Sequence, residues 1–379
     1  MQTHGDAAIT PWLWGLLPEN ADVLSRWGRE FGVSSSSPFG LLGTQVGLDC
    51  AGAVQFCPPD RADDVVLRGS SSEVLTEADV ADRLRRLSRD STAWLGPGNT
   101  GQFSLAGAQA KTALRWSGGA WHLPSEGMAT THVLKPAIAG LEAQDLNEHL
   151  CLAAARWLGL EAAVSRVETF EDQTAIVVER YDRREVDGVT VRVHQEDLCQ
   201  ALSVLPGSKY HRAGGPSAEQ VADALVDHVA AGSAVKVDVR RFADALMYNW
   251  LIGGTDARAK NYSLVLTASD VRLAPLCDVA SFLPYDTTGG RKVSMAMKVG
   301  GDDRLDRPGE RRRWARLAGD LGLTADALLN RAAVLAARVP AAFEQVGQDS
   351  QVAGLKSEMP ERLARLIADR AAACLRALS

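Results

Sequence analysis

The chain has 379 residues, 46% hydrophobic and 23% charged, with a formal net charge of −6. That length is enough to bury a large core and points to two or three domains. The acidic balance excludes a global basic field that would draw the chain to nucleic acid or membrane, leaving room only for local patches.

The first positive residue is Arg26, so no signal peptide is expected, and no apolar run is long enough to span a membrane. A soluble, cytoplasmic protein is expected. Six cysteines (Cys50, Cys57, Cys151, Cys199, Cys277 and Cys374) form no CxxC pair and no Cys/His group with zinc spacing. They read as small hydrophobes in a reducing compartment.

In chain order, "DVLSRWGREFGV" predicts a helix with Leu24, Trp27 and Phe31 on one face. "AGAVQFCPP" predicts a short strand stopped by prolines. "TEADVADRLRRLSRD" predicts a helix capped by Thr76, with its apolar stripe running from Ala78 to Leu87. A turn-rich joint, "WLGPGNTG" (94–100), separates these from an alternating region. There "FSLAGAQAKTALRW" places a glycine turn between extended flanks, "THVLKPAI" and "TAIVVERYD" are strands, and "NEHLCLAAARWLGL" is a helix closed by Gly159. After Asp182 the pattern is mainly helical, with an N-cap-like Ser217 and a long helix, "DVRRFADALMYNWLIGG". Three further helices follow residue 300. The expected division is 1–95, 96–182 and 183–379.

The helix ending at "LIGG" runs into "TDARAKN". Asp256 and Asn261 are five residues apart, the spacing of a kinase catalytic loop, where the carboxylate takes the substrate proton and the amide holds Mg²⁺. Lys260 is placed to offset charge on the transferring phosphoryl group. Asp and Asn are common in turns, so Asp256 taken alone reads equally as an Asx-turn residue. A second metal ligand downstream strengthens the functional reading. Asp278 lies 17 residues beyond Asn261, enough for a hairpin to bring it back.

Upstream, Ala106, Gly107 and Ala108 are small enough for backbone amides to approach phosphates. The stretch is neither G-x-G-x-x-G nor Walker A, and an ordinary hairpin turn explains it as well. Lys135 sits in a strand, placed for the ATP phosphates or, alternatively, as an edge-strand lysine. Glu148 pairs with it or is a helix-start acid beside the dipole. The end of "VVERYDR" would run as a hinge, with the main chain near Glu179 to Tyr181 at adenine and Asp182 at ribose; solvated strand-end charges are the alternative.

Taken in order, these segments resemble the HipA family of bacterial toxin serine/threonine kinases. "RVHQEDLCQALSVLPGSKY", "KVSMAMKVGG" and the N-terminal "WGLLPENADVLSRWGREFGV" and "LDCAGAVQFCP" extend the resemblance over most of the chain. It implies an α/β (α+β), bilobal, protein-kinase-like fold: a sheet-containing N-lobe with an extra N-terminal subdomain, and an all-α C-lobe. It implies that Asp256 is the general base and that Asn261 and Asp278 hold Mg²⁺. Lys135 would contact ATP phosphates, with Lys111 and the amides from Ala106 to Gln109 in the cradle. Glu179 and Tyr181 would lie at the hinge and Asp182 at the ribose. Ser104 matches the family's autophosphorylated serine, whose phosphate would repel the nucleotide and switch the kinase off.

The resemblance also implies an aminoacyl-tRNA synthetase substrate, with glutamyl-tRNA synthetase as best guess. It implies a HipB-like helix-turn-helix antitoxin and mainly indirect contact with operator DNA. One departure stands out. The family reads T-D-G-H-A-K-N where this chain has Ala257 and Arg258. Alanine is harmless at negative φ and costly at positive φ. Arg258 adds a permanent charge that would bind substrate or phosphate, or lower the rate. Two alternatives remain: a small-molecule kinase of the aminoglycoside type, and a catalytically weakened nucleotide-binding co-repressor.

Overall fold

A computed structural model describes residues 5–62, 72–96, 101–125, 127–211, 214–228, 233–291, 293–305 and 311–378. The expected joint at 94–100, helix end at 229–232, "KVSM" segment at 292 and helix start at 309–310 lie partly outside these residues. The chain forms two compact units. One comprises Met1–Asp145, Ser165–Glu196 and Leu205–Gly207; the other comprises Leu146–Val164, Asp197–Val204 and Ser208–Ser379.

The first unit opens with α1 (Asp6–Gly15), α2 (Ala21–Phe31) and α3 (Pro38–Leu42). Asn20 caps α2 by accepting from Asp22 N and Val23 N, and Gly32 ends it at φ 67°. Trp27 is fully buried, with Leu24 and Phe31 partly so, as the helical face requires. It meets Trp94 edge-on at a centroid distance of 6.4 Å. Their core also takes in Leu16, Leu41, Phe103 and Leu105. The strand expected at "AGAVQFCPP" does not form. Gly52 turns at φ 77°, and Cys50, just before the stretch, makes an isolated bridge to Ser104.

A six-stranded antiparallel sheet follows, in the order β1-β3-β2-β4-β6-β5. Its strands are β1 (Ser72–Leu75), β2 (Thr112–Ser117), β3 (Ala120–Pro124), β4 (His132–Pro136), β5 (Ser165–Phe170) and β6 (Gln173–Glu179). Helix α4 (Glu77–Arg89) begins with a reciprocal capping box between Thr76 and Asp79. Ala78 is exposed, so the buried stripe starts at Val80 and runs through Ala81, Leu84 and Leu87. Val80, Ala81 and Leu84 share a core with Leu114, Leu134 and Val177 of the sheet. A buried leucine of this kind contributes about 1.5–3 kcal/mol.

Past Asp182 the expected helical run gives way first to a hairpin, β7 (Arg183–Val186) and β8 (Val189–Arg192), and then to β9 (His194–Asp197). The turn is Asp187–Gly188 with both φ positive, at 50° and 76°. That Asp-Gly pair between alternating residues is a hairpin signal, and it was legible in the sequence.

The second unit holds α5 (Gln144–Trp157, entering from the first), α6 (Leu198–Ala201), α7 (Ala218–His228) and α8 (Ser233–Ile252). Ser217 caps α7 by accepting from Gln220 N. Four more helices close the chain: α9 (Arg311–Asp320), α10 (Ala325–Gly347), α11 (Ser350–Gly354) and α12 (Met359–Leu378). The unit is mostly helical, but not entirely. It also carries the hairpins β10 (Ser263–Leu266) with β11 (Val271–Leu273) and β12 (Ser294–Val299) with β13 (Asp302–Arg304). No helix among the described residues is long and apolar enough to cross a membrane.

Candidate active site

In the second unit, Gly253 stops α8 at φ 67° while Gly254 N–H bonds Asn249 O at 2.7 Å. A Cβ on Gly254 would lie 2.3 Å from Asn249 Oδ1, so any larger residue would have to displace that side chain. The released segment, 255–262, folds back on itself. Arg258 N–H donates to Asp256 O at 2.8 Å, and the Asn261 side-chain amide donates to the same carbonyl, also at 2.8 Å. These bonds consume Asn261's donor side and fix its orientation. Its Oδ1 makes no hydrogen bond among the described residues. Ala257 is not among the residues at positive φ, so it adopts its position without strain.

The β10–β11 hairpin returns the chain toward Asp278. Phe282 N–H bonds Gly253 O at 3.0 Å, and Ser281 Oγ donates to Ile252 O at 2.6 Å, which ties 278–283 to the end of α8. From α5, Asn147 locks the same segment, donating to Ser281 O and accepting from Ser281 N. Asp278 itself sits at φ 56°, a left-handed conformation that costs an L-residue free energy and concentrates at functional sites.

Asp256 and Asp278 therefore face one another electrostatically. Partial burial raises the Asp256 carboxyl above its ordinary value, Asp278 raises it further, and Arg258 and Lys209 oppose the rise. Half of the Asp256 side chain, 52%, remains accessible. Its Oδ1 takes Arg258, and its Oδ2 makes no hydrogen bond among the described residues. The Asn261 amide oxygen and the Asp278 carboxylate are oxygen donors of the kind a divalent cation takes.

Lys260, expected over a phosphoryl group, is buried instead in an ion pair with Asp197 Oδ2 at 2.7 Å. Asp197 also caps α6 through Cys199 N and Gln200 N, so the pair fastens the loop to that helix. Arg258 is buried. It bonds Asp256 and donates to the Tyr210 hydroxyl at 3.0 Å. Neither Tyr210 nor Asp197 was singled out by spacing, because 48 residues separate Tyr210 from Arg258.

The remaining expected residues belong to the first unit. Lys135 is buried on β4 in register with Ile176. Ala106 to Gln109 form an irregular loop held from below. Ser104 Oγ donates to Leu16 O at 2.7 Å, Ser104 N to Asp49 O at 3.0 Å, and Glu19 N to Gly107 O at 3.0 Å. Gln109 donates to Pro136 O at 3.2 Å. Ser104 is fully buried.

Lys111 was expected to line a phosphate cradle. It turns inward, donating to Ala106 O at 2.5 Å and lying 4.9 Å above the Trp94 ring. A Cβ on Gly107 would come within 2.7 Å of its Nζ.

At the end of β6, Glu179 is exposed and the Tyr181 hydroxyl bonds Gln195. Asp182, expected at the ribose, has both oxygens engaged elsewhere. It accepts from Arg180 through Oδ1 and Oδ2, from Arg183, and from Gly52 N. Fully buried Asp49 accepts in turn from Arg180, Arg183, Arg192 and Thr130. Burial alone would raise Asp182; Arg180 and Arg183 outweigh it and bring it down to about 2. The spread of these partners, from Asp49 to Arg192, is why spacing did not show the network.

The sequence matches the family model of the HipA-like C-terminal domain over residues 103–343 and that of the HipA N-terminal domain over 1–57. The chain belongs to the HipA family. Among its relatives, Y4mE of Sinorhizobium fredii, named as a kinase, is 37% identical over 76% of this chain and 67% of its own length. The serine/threonine-protein kinase toxin HipA of Shewanella oneidensis is 29% identical over 89% of this chain and 77% of its own. The HipA solved with HipB and operator DNA from that organism superposes with a TM-score of 0.82 at 25% identity. It covers 99% of this chain and 87% of that one. The protein is thus a HipA-like serine/threonine-protein kinase of the toxin–antitoxin type, with a mixed α/β, protein-kinase-like fold.

Proposed function

We propose that this kinase uses ATP and Mg²⁺ to phosphorylate an aminoacyl-tRNA synthetase, glutamyl-tRNA synthetase being the first candidate. Loss of tRNA charging would then arrest growth. The observation that carries the reading is the pairing of Asp256 with Asp278 across the hairpin that begins after Asn261. Asp256 acts as general base through its unengaged Oδ2. Its raised affinity for a proton suits it to accept one from a serine hydroxyl. Asn261 Oδ1 and the Asp278 carboxylate would hold the metal, which neutralises charge building on the transferred phosphoryl group. Within the first unit, Lys135 and the 106–109 amides would contact ATP phosphates, with the main chain of Glu179 to Tyr181 as the hinge at adenine. Asp182 supports that hinge through its arginines, and Lys260 holds the loop through Asp197.

Ser104 is the autophosphorylation site in this reading. Its burial means the 101–110 segment must leave Leu16 and Asp49 before the hydroxyl can react. The superposable HipA was solved with HipB and operator DNA. By analogy, a HipB-like antitoxin binds this chain and supplies most of the DNA contact.

The test is transfer from labelled ATP, followed by phosphoproteomics after pulsed expression. Label should appear on a synthetase and on the Ser104 peptide, and Ser104→Ala should keep transfer to the substrate while losing self-inactivation. Label on an aminoglycoside, or ATP binding with no transfer, would replace this reading.

A further inference from the structure

The general-base reading leaves one question: what holds a half-exposed carboxylate in a fixed direction? Asp256 has a single side-chain hydrogen-bond partner among the described residues, Arg258. Arg258 is itself almost fully buried, with 7% of its side chain accessible. A guanidinium keeps its charge at any pH a protein survives, so its burial demands compensation. Asp256 supplies the charge and Tyr210 the rest. The Tyr210 hydroxyl accepts from Nη1 at 3.0 Å, and the guanidinium carbon stands 5.3 Å from the ring centroid, within cation–π range. Tyr210 is fixed in turn by a local turn, Gly215 N–H bonding Tyr210 O at 2.9 Å. A side chain on Gly215 would strike Ser208 O at 2.3 Å, so the turn depends on glycine.

Local backbone geometry makes the pairing possible. Arg258 is extended at φ −91° and ψ 166° at the head of the short 259–261 turn, which returns its side chain to a residue two positions earlier. Its Nε is buried without a partner, a cost that a purely structural arginine would avoid by exposure.

Resting on the assignment of Asp256 as base, we propose that Tyr210 and Arg258 form a positioning clamp. The clamp occupies Oδ1 of Asp256 and presents Oδ2 to the incoming hydroxyl. Arg258 then acts through Asp256 and binds neither substrate nor phosphate.

The test uses the full-length chain and labelled Mg-ATP, with self-labelling rate followed against ATP concentration. Arg258→Ala should lower the rate at saturating ATP about 10- to 100-fold, the effect of a misplaced catalytic group. Its KM for ATP should stay within about twofold. Added millimolar guanidinium should restore part of the rate. Tyr210→Phe, which keeps the ring and loses the hydroxyl, should fall between Arg258→Ala and wild type. It also decides the matter if thermal melting shows Arg258→Ala to be unfolded. An unchanged rate in both variants overturns the clamp, as does a raised KM with unchanged maximal rate. Full activity in Asp256→Asn would instead overturn the base assignment. Loss in Asp256→Asn with a normal Arg258→Ala would leave the base standing and remove only the clamp.

Discussion

Two clusters of the same residue types behave in opposite ways. In the first unit, Asp49 and Asp182 are buried among three arginines, a threonine hydroxyl and two backbone amides. Both carboxyls are driven below their ordinary value. In the second unit, Asp256 has one arginine and a neighbouring aspartate, and its carboxyl rises. Burial raises all three; the number of cations and donors per carboxylate decides the sign. A carboxylate with every lone pair satisfied is a tie between segments. One left partly unsatisfied keeps the capacity to take a proton or a metal.

The comparison breaks most sharply on matched neutralisations. Asp256→Asn should reduce phosphate transfer by a factor of roughly 10²–10⁴, the contribution of a positioned base. Its stability cost should be the smaller of the two, because the burial penalty on the Asp256 charge offsets part of the compensation that buried Arg258 loses. Asp182→Asn leaves Arg180 and Arg183 buried and undercompensated, at a cost of roughly 3–5 kcal/mol read by denaturant unfolding. An Asp256→Asn chain destabilised as much as Asp182→Asn, or more, would erase the distinction.

A pH series sharpens the same contrast. The depressed Asp182 contributes stability that is present above about pH 4. That stability is lost as the pH falls toward about 2. Asp256, being raised, contributes in the opposite sense, and its share is lost as the pH rises through its folded value. Acid melting should therefore become less steep in Asp182→Asn and slightly steeper in Asp256→Asn.

The smallest expected effect is at Ser104. Ser104→Ala removes the bond to Leu16 O and should cost about 1 kcal/mol, seen as a small fall in the melting midpoint. A much larger fall would mean that the hydroxyl is a structural pin beyond its single bond.

Much of this protein was readable from the chain. Helix α2 and its Trp27 face, the Thr76 cap, the strands carrying Lys135 and Glu179, the helix closed at Gly159, and the D-x-x-x-x-N loop with its return hairpin all announce themselves in local residue patterns, even where their partners lie far along the chain. Periodicity and turn chemistry report such patterns directly. The Asp187–Gly188 hairpin was equally local and was overlooked within a helical expectation.

What the sequence could not assign was the partner of each charge. Asp182 is spent on Arg180 and Arg183, Lys260 on Asp197, Lys111 on the Ala106 carbonyl, and Arg258 on Tyr210. A charged side chain in the sequence shows only that it must be compensated or solvated. Which of these happens depends on what the folded chain brings within about 3 Å, and hydrogen bonding falls off too steeply for sequence distance to reveal it.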